Sequence, residues 1–383
     1  MDAKTTHTDG AYSIDDLLEQ VVIRRASDLH VTVGTAPVVR VHGHLQRLDD
    51  YPKVRPDDAQ RMLYRIMSTE QQKHFETKRQ LDLSYSIPGL ARFRVNIYFQ
   101  RESVGGAFRM IPTELKSLED LGLPEALHEF SQKPRGLVLV TGPTGSGKST
   151  TLASIIDEIN RTRKDHIMTI EDPIEFLHRH KSCIVNQREI GPDATSFAEA
   201  LRGALRQDPD VILLGEMRDL ETISTALTAA ETGHLVFATL HTQDAPSTID
   251  RVIDVFPAAQ QGQVRVQLAG TLVGIVTQTL LPTADGQGRV AACEILYPDD
   301  ATRNLVRQGK VEQIYSIMQT GAKKGMQTLE QSLGDLVKRG VITKDVALAR
   351  SSRPDQLVGL LERAGHVATA EAPGYGGLRV AGT

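Results

Sequence analysis

Residues 142–149, Gly-Pro-Thr-Gly-Ser-Gly-Lys-Ser, fit the phosphate-loop pattern G-x-x-x-x-G-K-[ST]. A predicted apolar strand at 137–140 leads into this segment, and a predicted helix at 149–160 follows it, which is the context that the pattern requires. Glycines let successive backbone N–H groups turn towards phosphate oxygens, and the start of the helix adds partial positive charge. We therefore expect a nucleoside triphosphate to be bound by Gly142, Thr144, Gly145, Ser146, Gly147, Lys148, Ser149 and Thr150.

Two side chains of this loop are suited to separate tasks. The Lys148 ammonium group would contact the β- and γ-phosphates, and the Ser149 hydroxyl would bind Mg²⁺. A second metal contact is expected from Glu216, which follows the apolar strand predicted at 211–214. Because a glutamate stands where aspartate is commoner, we expect it to act through water. The alternative is an ordinary solvated carboxylate at a strand end.

A second acidic cluster, Glu171, Asp172 and Glu175, follows the strand predicted to end at Ile170. Ligands of open α/β folds bind at the carboxyl edge of the sheet, which is where these acids are expected. One of them could orient or deprotonate an attacking water molecule.

Two histidines, His234 and His241, bracket the strand predicted at 235–239. Their separation of seven residues directs them to opposite faces of a regular strand, which argues against joint metal binding. A single histidine at a strand end is more often structural, so the pattern alone leaves their role open.

The composition is that of an ordinary soluble globular protein. The 383 residues are 40% hydrophobic and 24% charged, and this length predicts two or three domains. The first twenty residues have no apolar core, and no apolar run is long enough for a bilayer, so we expect a cytoplasmic chain without a signal peptide. Two cysteines, Cys183 and Cys293, are too few for a disulfide framework or a CxxC metal site.

Charge and aromatic content argue against a nucleic-acid partner. Forty-four basic residues against forty-eight acidic ones give a net charge of −4, and no basic stripe is visible. The chain has no tryptophan and only 4% aromatic residues, which leaves few surfaces on which bases could stack.

The element pattern changes along the chain. Up to residue 112 we expect an α+β module with helices at 13–26 and 57–78 and strands at 28–33, 38–42, 81–87, 92–99 and 106–111. A helix at 118–130 connects it to alternating strands (137–140, 166–170, 211–214, 235–239) and helices (149–160, 196–206, 220–231), which predict an α/β fold with a parallel sheet covered on both faces. From 257 to 349 we expect mainly helices with one strand at 290–296, and residues 368–383 are expected to form a loose tail.

Four segments together resemble the type II/type IV secretion ATPase superfamily. They are the phosphate loop, the acidic segment 169–176, the segment 215–222 (Gly-Glu-Met-Arg-Asp-Leu-Glu-Thr) and the strand between the two histidines. Residues 229–234 and 325–329 are similar to the retraction ATPases of type IV pili in particular. The resemblance extends from residue 14 to 349, in order and nearly without gaps.

The resemblance implies a domain organisation and an oligomeric ATPase. A flexible start (1–12) would precede a PAS-like α+β domain (13–112), a linker (113–117), a RecA-like ATPase domain with a helical C-terminal part (118–350) and a partly disordered extension (351–383). Six chains would form a ring at the inner face of the cytoplasmic membrane and hydrolyse ATP with Mg²⁺. The ring would act on the inner-membrane pilus platform protein to power pilus retraction and twitching motility.

The resemblance also implies residue roles. Glu216 would be the Walker B acid, Glu175 the general base, and His234 and His241 sensors of the phosphate state. The nucleotide would lie between the two domains. The arginines expected to contact its phosphates there are Arg92, Arg94 and Arg109. The alternative for these arginines is a solvated strand face.

One motif departs from the retraction pattern. Residues 301–308 read Ala-Thr-Arg-Asn-Leu-Val-Arg-Gln, in which Thr302 and Gln308 differ from the family motif. The residues that match, and that we expect to couple hydrolysis to retraction, are Arg303, Asn304, Leu305 and Arg307. The extension after residue 351, together with residues 281–288, resembles accessory retraction ATPases. This leaves an accessory role, or a paralogous retraction ATPase as a further partner, as alternatives.

Two other functions remain as rivals. Pilus-assembly and secretion ATPases of this superfamily carry a four-cysteine metal module, and two isolated cysteines argue against it here. The chain could also be a scaffold that binds a nucleotide without hydrolysing it.

Overall fold

The computed structural model describes residues 12–112 and 115–363, which divide into two compact units. The first unit contains 12–112 together with the short segment Glu175–Leu177, and the second contains 115–174 and 178–363. Residues 1–11 of the flexible start expected at 1–12, and the loose tail expected at 368–383, lie outside the described residues.

The first unit is built on a six-stranded antiparallel sheet with the strand order β3-β2-β1-β6-β5-β4. Leucine, valine and phenylalanine side chains, among them Leu29, Phe93 and Phe108, fill its core. Its elements are α1 (Ile14–Ile23), β1 (Asp28–Val31), β2 (Val38–Val41), β3 (His44–Arg47), α2 (Pro56–Arg65), α3 (Thr69–Lys78), β4 (Gln80–Ile87), β5 (Ala91–Gln100) and β6 (Ser103–Ile111).

Two predictions for this unit were wrong. The single helix expected at 57–78 is two helices, because Ser68 accepts a hydrogen bond from the Gln71 backbone and the Gln71 side chain bonds back to Ser68, so that α3 begins anew. Strand β3 was missed because all four of its residues are exposed, so the strand shows no alternation of apolar and polar positions.

The second unit is a seven-stranded sheet with the order β13-β12-β7-β11-β10-β8-β9, in which only β13 is antiparallel to its neighbour. Apolar clusters lie on both faces of this sheet. The expected α/β class is confirmed. Its elements up to β11 are α4 (His128–Ser131), β7 (Gly136–Thr141), α5 (Lys148–Thr162), β8 (His166–Glu171), β9 (Ile184–Glu189), α6 (Phe197–Ala204), β10 (Val211–Leu214), α7 (Leu220–Glu231) and β11 (Leu235–Leu240).

The rest of the second unit adds two strands and several helices. They are α8 (Ala245–Asp254), α9 (Ala258–Thr271), β12 (Leu272–Pro282), β13 (Arg289–Leu296), α10 (Asp300–Gln308), α11 (Ile314–Thr320), α12 (Leu329–Lys338), α13 (Lys344–Arg350) and α14 (Pro354–Arg363). Helix α14 lies in the extension expected to be partly disordered, and its Leu357 and Leu361 side chains are buried. No helix of the described ranges is both long and apolar enough to cross a membrane.

The most consequential error concerns β12, because residues 272–282 were expected to be helical. The strand lies between β7 and β13, and most of its residues are buried. A strand buried on both faces reads as a continuous apolar run, which periodicity cannot distinguish from a buried helix.

Two smaller differences concern the rest of this unit. Strand β9 was missed. The helix expected at 118–130 is reduced to one 3₁₀ turn at Glu125–Leu127 followed by the short α4.

Strand β13 carries a buried glutamate whose ionisation should affect stability. Glu294 is 4% exposed, and its Oε1 accepts a hydrogen bond from the Ala245 backbone N–H at 2.7 Å. Burial, with a smaller contribution from the nearby acids Asp244 and Glu330, raises the pKa of Glu294 to about 7, although the hydrogen bond from Ala245 opposes the shift.

Between the ordinary carboxyl pKa and about 7 the folded chain therefore holds a proton that the unfolded chain has lost, so the free energy of unfolding falls as pH rises through this range. We predict that Glu294→Gln, which keeps an acceptor for Ala245 but cannot ionise, raises the melting temperature at pH 8 by about 2–4 °C or more. Near pH 5 the difference from wild type should be much smaller. Thermal unfolding at both pH values measures this, with the exposed Glu312→Gln as control; an equal shift at both would contradict it.

Candidate nucleotide-binding site

The phosphate-loop segment connects the central strand β7 to helix α5. All six residues of β7 are buried, and Gly147, with φ of 92°, is the N-cap of α5. No side chain of the described residues caps this 15-residue helix. Its first backbone N–H groups therefore remain available to an acceptor such as a phosphate oxygen.

Lys148, the first residue of α5, is only 8% exposed. Its Nζ donates hydrogen bonds to the carbonyl oxygens of Gly142, at 2.8 Å, and Pro143, at 3.1 Å. Burial lowers the pKa of Lys148, while the charge of Glu216 partly offsets that effect. No carboxylate of the described residues forms an ion pair with this ammonium group, so a bound anion would supply the missing counter-charge.

Gln278 on β12 contacts the loop from the other side, and sequence analysis missed it. Its Nε2 donates to the Ser146 carbonyl oxygen at 2.8 Å, and its Oε1 accepts from the Thr151 hydroxyl at 2.8 Å. The neighbouring Thr277 and Thr141 hydroxyls lie 2.9 Å apart, at paired positions of β12 and β7. Only recognition of residues 272–282 as a strand next to β7 would have found it.

Glu216 lies just beyond the end of β10 and forms two contacts. Its Oε2 is 2.6 Å from the Arg218 guanidinium, and its Oε1 is 3.3 Å from His241 Nε2. The hydrogen bond from Arg218 lowers the pKa of Glu216 and outweighs the opposing effect of burial. The structure thus brings Glu216 and His241 together, and Glu216 remains ionised at neutral pH.

His234 lies at the opposite end of β11 from His241. Its Nδ1 is 2.9 Å from the Ala229 carbonyl oxygen, and its own carbonyl oxygen accepts from the Gly136 N–H at the start of β7. Six strand residues span about 20 Å, and the phosphate loop follows the far end of β7. Within one chain His234 therefore lies far from the phosphate loop. The described residues show no contact between them through which His234 could sense the phosphate state.

The acids after β8 differ in their surroundings. Glu171 is buried and accepts hydrogen bonds from the Thr169 hydroxyl at 2.7 Å and from Gln187 at 3.3 Å, which indicates a structural role. The peptide bond between Asp172 and Pro173 is cis. Glu175 is exposed, and it belongs by its contacts to the first unit. Its role as general base stays a prediction.

The three arginines predicted to contact phosphate share one face of the first unit's sheet. Arg94 on β5 is directly paired with Arg109 on β6, and Arg92 is two residues from Arg94. Cross-strand partners and residues two apart point to the same face. The Arg109 guanidinium also forms a 2.8 Å ion pair with Asp28, so part of this positive charge is already balanced.

The expected coupling residues lie on α10, at a distance in sequence from the loop. Arg303 donates to the Ala269 carbonyl oxygen of α9, while Asn304 and Arg307 are exposed. The departing residue Thr302 is buried, and its hydroxyl donates to Asp299, the N-cap of α10. Threonine at this position therefore stabilises the start of the helix.

The residues present fit a nucleotide with Mg²⁺. The described residues contain no cluster of three or more His, Cys, Asp or Glu side chains suited to a metal. A hydroxyl and a carboxylate, those of Ser149 and Glu216, would instead hold the ion, with phosphate and water oxygens completing its shell. The buried Ser146 hydroxyl, which has no hydrogen-bond partner in the described ranges, is a further polar group in the loop.

The chain matches a known protein family over most of its length. Residues 8–350 match the family described as type II/IV secretion system protein. The chain is 51% identical over 342 residues to the type IV pilus retraction ATPase PilT of Pseudomonas aeruginosa, which covers 89% of this chain and 99% of the relative. It is 40% identical over 343 residues to the type IV pilus ATPase PilU of the same bacterium, covering 90% of each.

A solved structure also matches over most of the chain. The crystal structure of the pilus retraction motor PilT with bound ADP is 50% identical, with a TM-score of 0.84 that covers 91% of this chain and 100% of that one. The similarity therefore includes a relative whose structure holds a nucleotide.

The Glu216–Arg218 contact predicts a pH effect. Replacing Arg218 by glutamine removes the charge that lowers the pKa of Glu216, so the pKa should rise. If the ionised carboxylate is required, the acid limb of the ATP hydrolysis rate should move to higher pH, by an amount limited by the solvent screening of the largely exposed Arg218. Rates between pH 5 and 8 measure this, with the exposed Arg206→Gln as control; identical acid limbs would contradict it.

Proposed function

The chain belongs to the type II/IV secretion system protein family, and from that membership we propose that it is the primary ATPase for type IV pilus retraction. The observation that carries the proposal is the 51% identity to PilT over 99% of that relative, together with a complete phosphate loop. The identity to PilU is lower, at 40%. ATP hydrolysis is the reaction of this family of motors.

The loop would bind and orient the triphosphate. The N–H groups at the start of α5 and the Lys148 ammonium group would contact phosphate oxygens, and Ser149 and Glu216 would hold Mg²⁺. The ion, when bound, neutralises the charge that develops on the phosphates. Among chain residues, Arg218 and His241 keep the Glu216 carboxylate oriented.

Hydrolysis needs an activated water molecule as well as bound phosphate. A water oxygen would attack the γ-phosphorus atom, the bond to the β–γ bridging oxygen would break, and Glu175 would accept the water proton. Its support is its position along the chain, four residues beyond the carboxyl end of β8. The arginines Arg92, Arg94 and Arg109 are our candidates for stabilising transition-state charge, because they share one face of the sheet.

The assembly would be a ring of six identical chains. We place this ring at the inner face of the cytoplasmic membrane, where it would act on the pilus platform protein through the coupling residues of α10. A closed ring lets each chain present the same surface to one central partner.

An accessory role like that of PilU is a second candidate. The observation that favours it is Thr302, which departs from the retraction motif and is tied to Asp299. A paralogous retraction ATPase would then be an additional partner.

Two substitutions separate binding from turnover. We predict that Lys148→Ala lowers ATP affinity by at least about tenfold, because it removes a buried cation at the phosphates. Glu175→Gln should keep ATP bound and lower the hydrolysis rate by about 10²–10⁴-fold, the range of general acid–base catalysis. Equilibrium binding and steady-state hydrolysis measure these effects. Equal loss of binding in both variants would remove the role given to Glu175, and turnover unchanged by Glu216→Ala would remove the role of Glu216.

Deletion of the gene tests the biological role. We predict excess surface pili on cells that cannot twitch, counted by electron microscopy alongside a motility assay. Cells without pili would indicate an assembly motor instead. Normal pili with weakened motility would favour the accessory role, and complementation with the Lys148→Ala gene should restore neither phenotype.

A further inference from the structure

We propose that Gln278 is the positioning residue of the phosphate loop, and that it fixes the Ser146–Gly147 peptide so that its N–H is presented to the triphosphate. The inference rests on the proposed ATPase function and adds to it a residue outside the phosphate-loop motif. It stands on hydrogen bonds, close packing and the geometry of the peptide unit.

Both ends of the Gln278 amide are occupied. The side chain is 3% exposed, its Nε2 donates to the Ser146 carbonyl oxygen, and its Oε1 accepts from the Thr151 hydroxyl of α5. An amide nitrogen can only donate and an amide oxygen can only accept. The Ser146 carbonyl oxygen can only accept, so it determines that the amide nitrogen faces the loop, and the Thr151 hydroxyl then donates to the amide oxygen.

The contact with Ser146 sets the direction of a neighbouring N–H. In a planar trans peptide the C=O of one residue and the N–H of the next point in opposite directions. Because the Ser146 carbonyl points at β12, the Gly147 N–H points away from β12. Gly147 is the N-cap of α5, so this N–H is one of the loop's donors without a helical partner.

The loop also packs against Gln278 more closely than a side chain would allow. A Cβ atom on Gly147 would lie 2.6 Å from Gln278 Nε2, and one on Gly142 would lie 2.2 Å from the Gln278 backbone oxygen. Both glycines have positive φ, at 92° and 135°. Two glycines of the motif are thus fitted to the same residue of β12 from two sides.

A glutamine that served the core alone would affect stability without affecting nucleotide affinity. Two substitutions at this position separate the possibilities. Gln278→Met keeps the approximate volume but removes both hydrogen bonds, and Gln278→Glu keeps a donor to Ser146 only while its carboxyl group is protonated. The affinity of the glutamate variant should therefore depend on pH.

The test measures binding of a fluorescent ATP analogue with Mg²⁺ between pH 6 and 9, alongside thermal unfolding of each variant. We expect Gln278→Met to weaken binding about tenfold at every pH, the cost of leaving a buried carbonyl unsatisfied. Gln278→Glu should bind about tenfold more tightly at pH 6 than at pH 9, beyond any change in wild type. Thr151→Val, which removes the anchor of the amide oxygen, should also weaken binding.

One control variant and the stability measurements make the outcomes distinguishable. Thr279→Val changes the next residue of β12, whose side chain lies on the opposite face, and should bind as wild type does. Wild-type affinity in the Gln278 variants, with only their stability lowered, would overturn the inference. If both Gln278 variants fail to fold, wild-type affinity in Thr151→Val would overturn it. If wild type itself binds no nucleotide, the proposed ATPase function fails first and takes the inference with it.

Discussion

The backbone of β12 lies so close to the phosphate loop that the first residue of the loop has to be a glycine. Gly142, at the end of β7, has no Cβ atom, and one placed there would lie 2.2 Å from the Gln278 carbonyl oxygen. The parallel pairing of β12 with β7 ends at Thr277 and Thr141, so the strand delivers Gln278 to the first residue of the loop. The lysine that begins α5 donates to the carbonyl oxygen of this same Gly142, so it lies beside the contact.

The charges of the site follow from where the parallel strands end. The phosphate loop follows β7, Glu216 follows β10 and His241 follows β11, and these strands are neighbours in the sheet. Since parallel strands share one carboxyl edge, the loop and these two side chains lie at the same edge although they are far apart in sequence. His234 has the same residue type and lies in the same motif, yet it precedes its strand and so lies at the other edge. Strand direction, rather than motif membership, decides which histidine contacts Glu216.

The sequence alone predicted the parts of the site that depend on local pattern. The loop, the helix after it and the acid after β10 are encoded within a few neighbouring residues, so their types and spacing suffice. Gln278 was missed because its strand is buried on both faces, so its apolar residues show no periodicity that would distinguish a strand from a helix. The pairing of Arg94 with Arg109 depends on cross-strand register, which two separate strand predictions do not provide.

Burial of Lys148 connects the fold to the energetics of binding. The desolvated ammonium group donates to two carbonyl oxygens, which are weaker partners than an anion, and its pKa is lowered as a result of burial. A phosphate at the loop would add negative charge beside this group and stabilise its charged form. Anion binding and protonation of Lys148 therefore favour each other. Burial of the charged lysine costs stability in the free loop, but it also strengthens the attraction between this lysine and a bound anion.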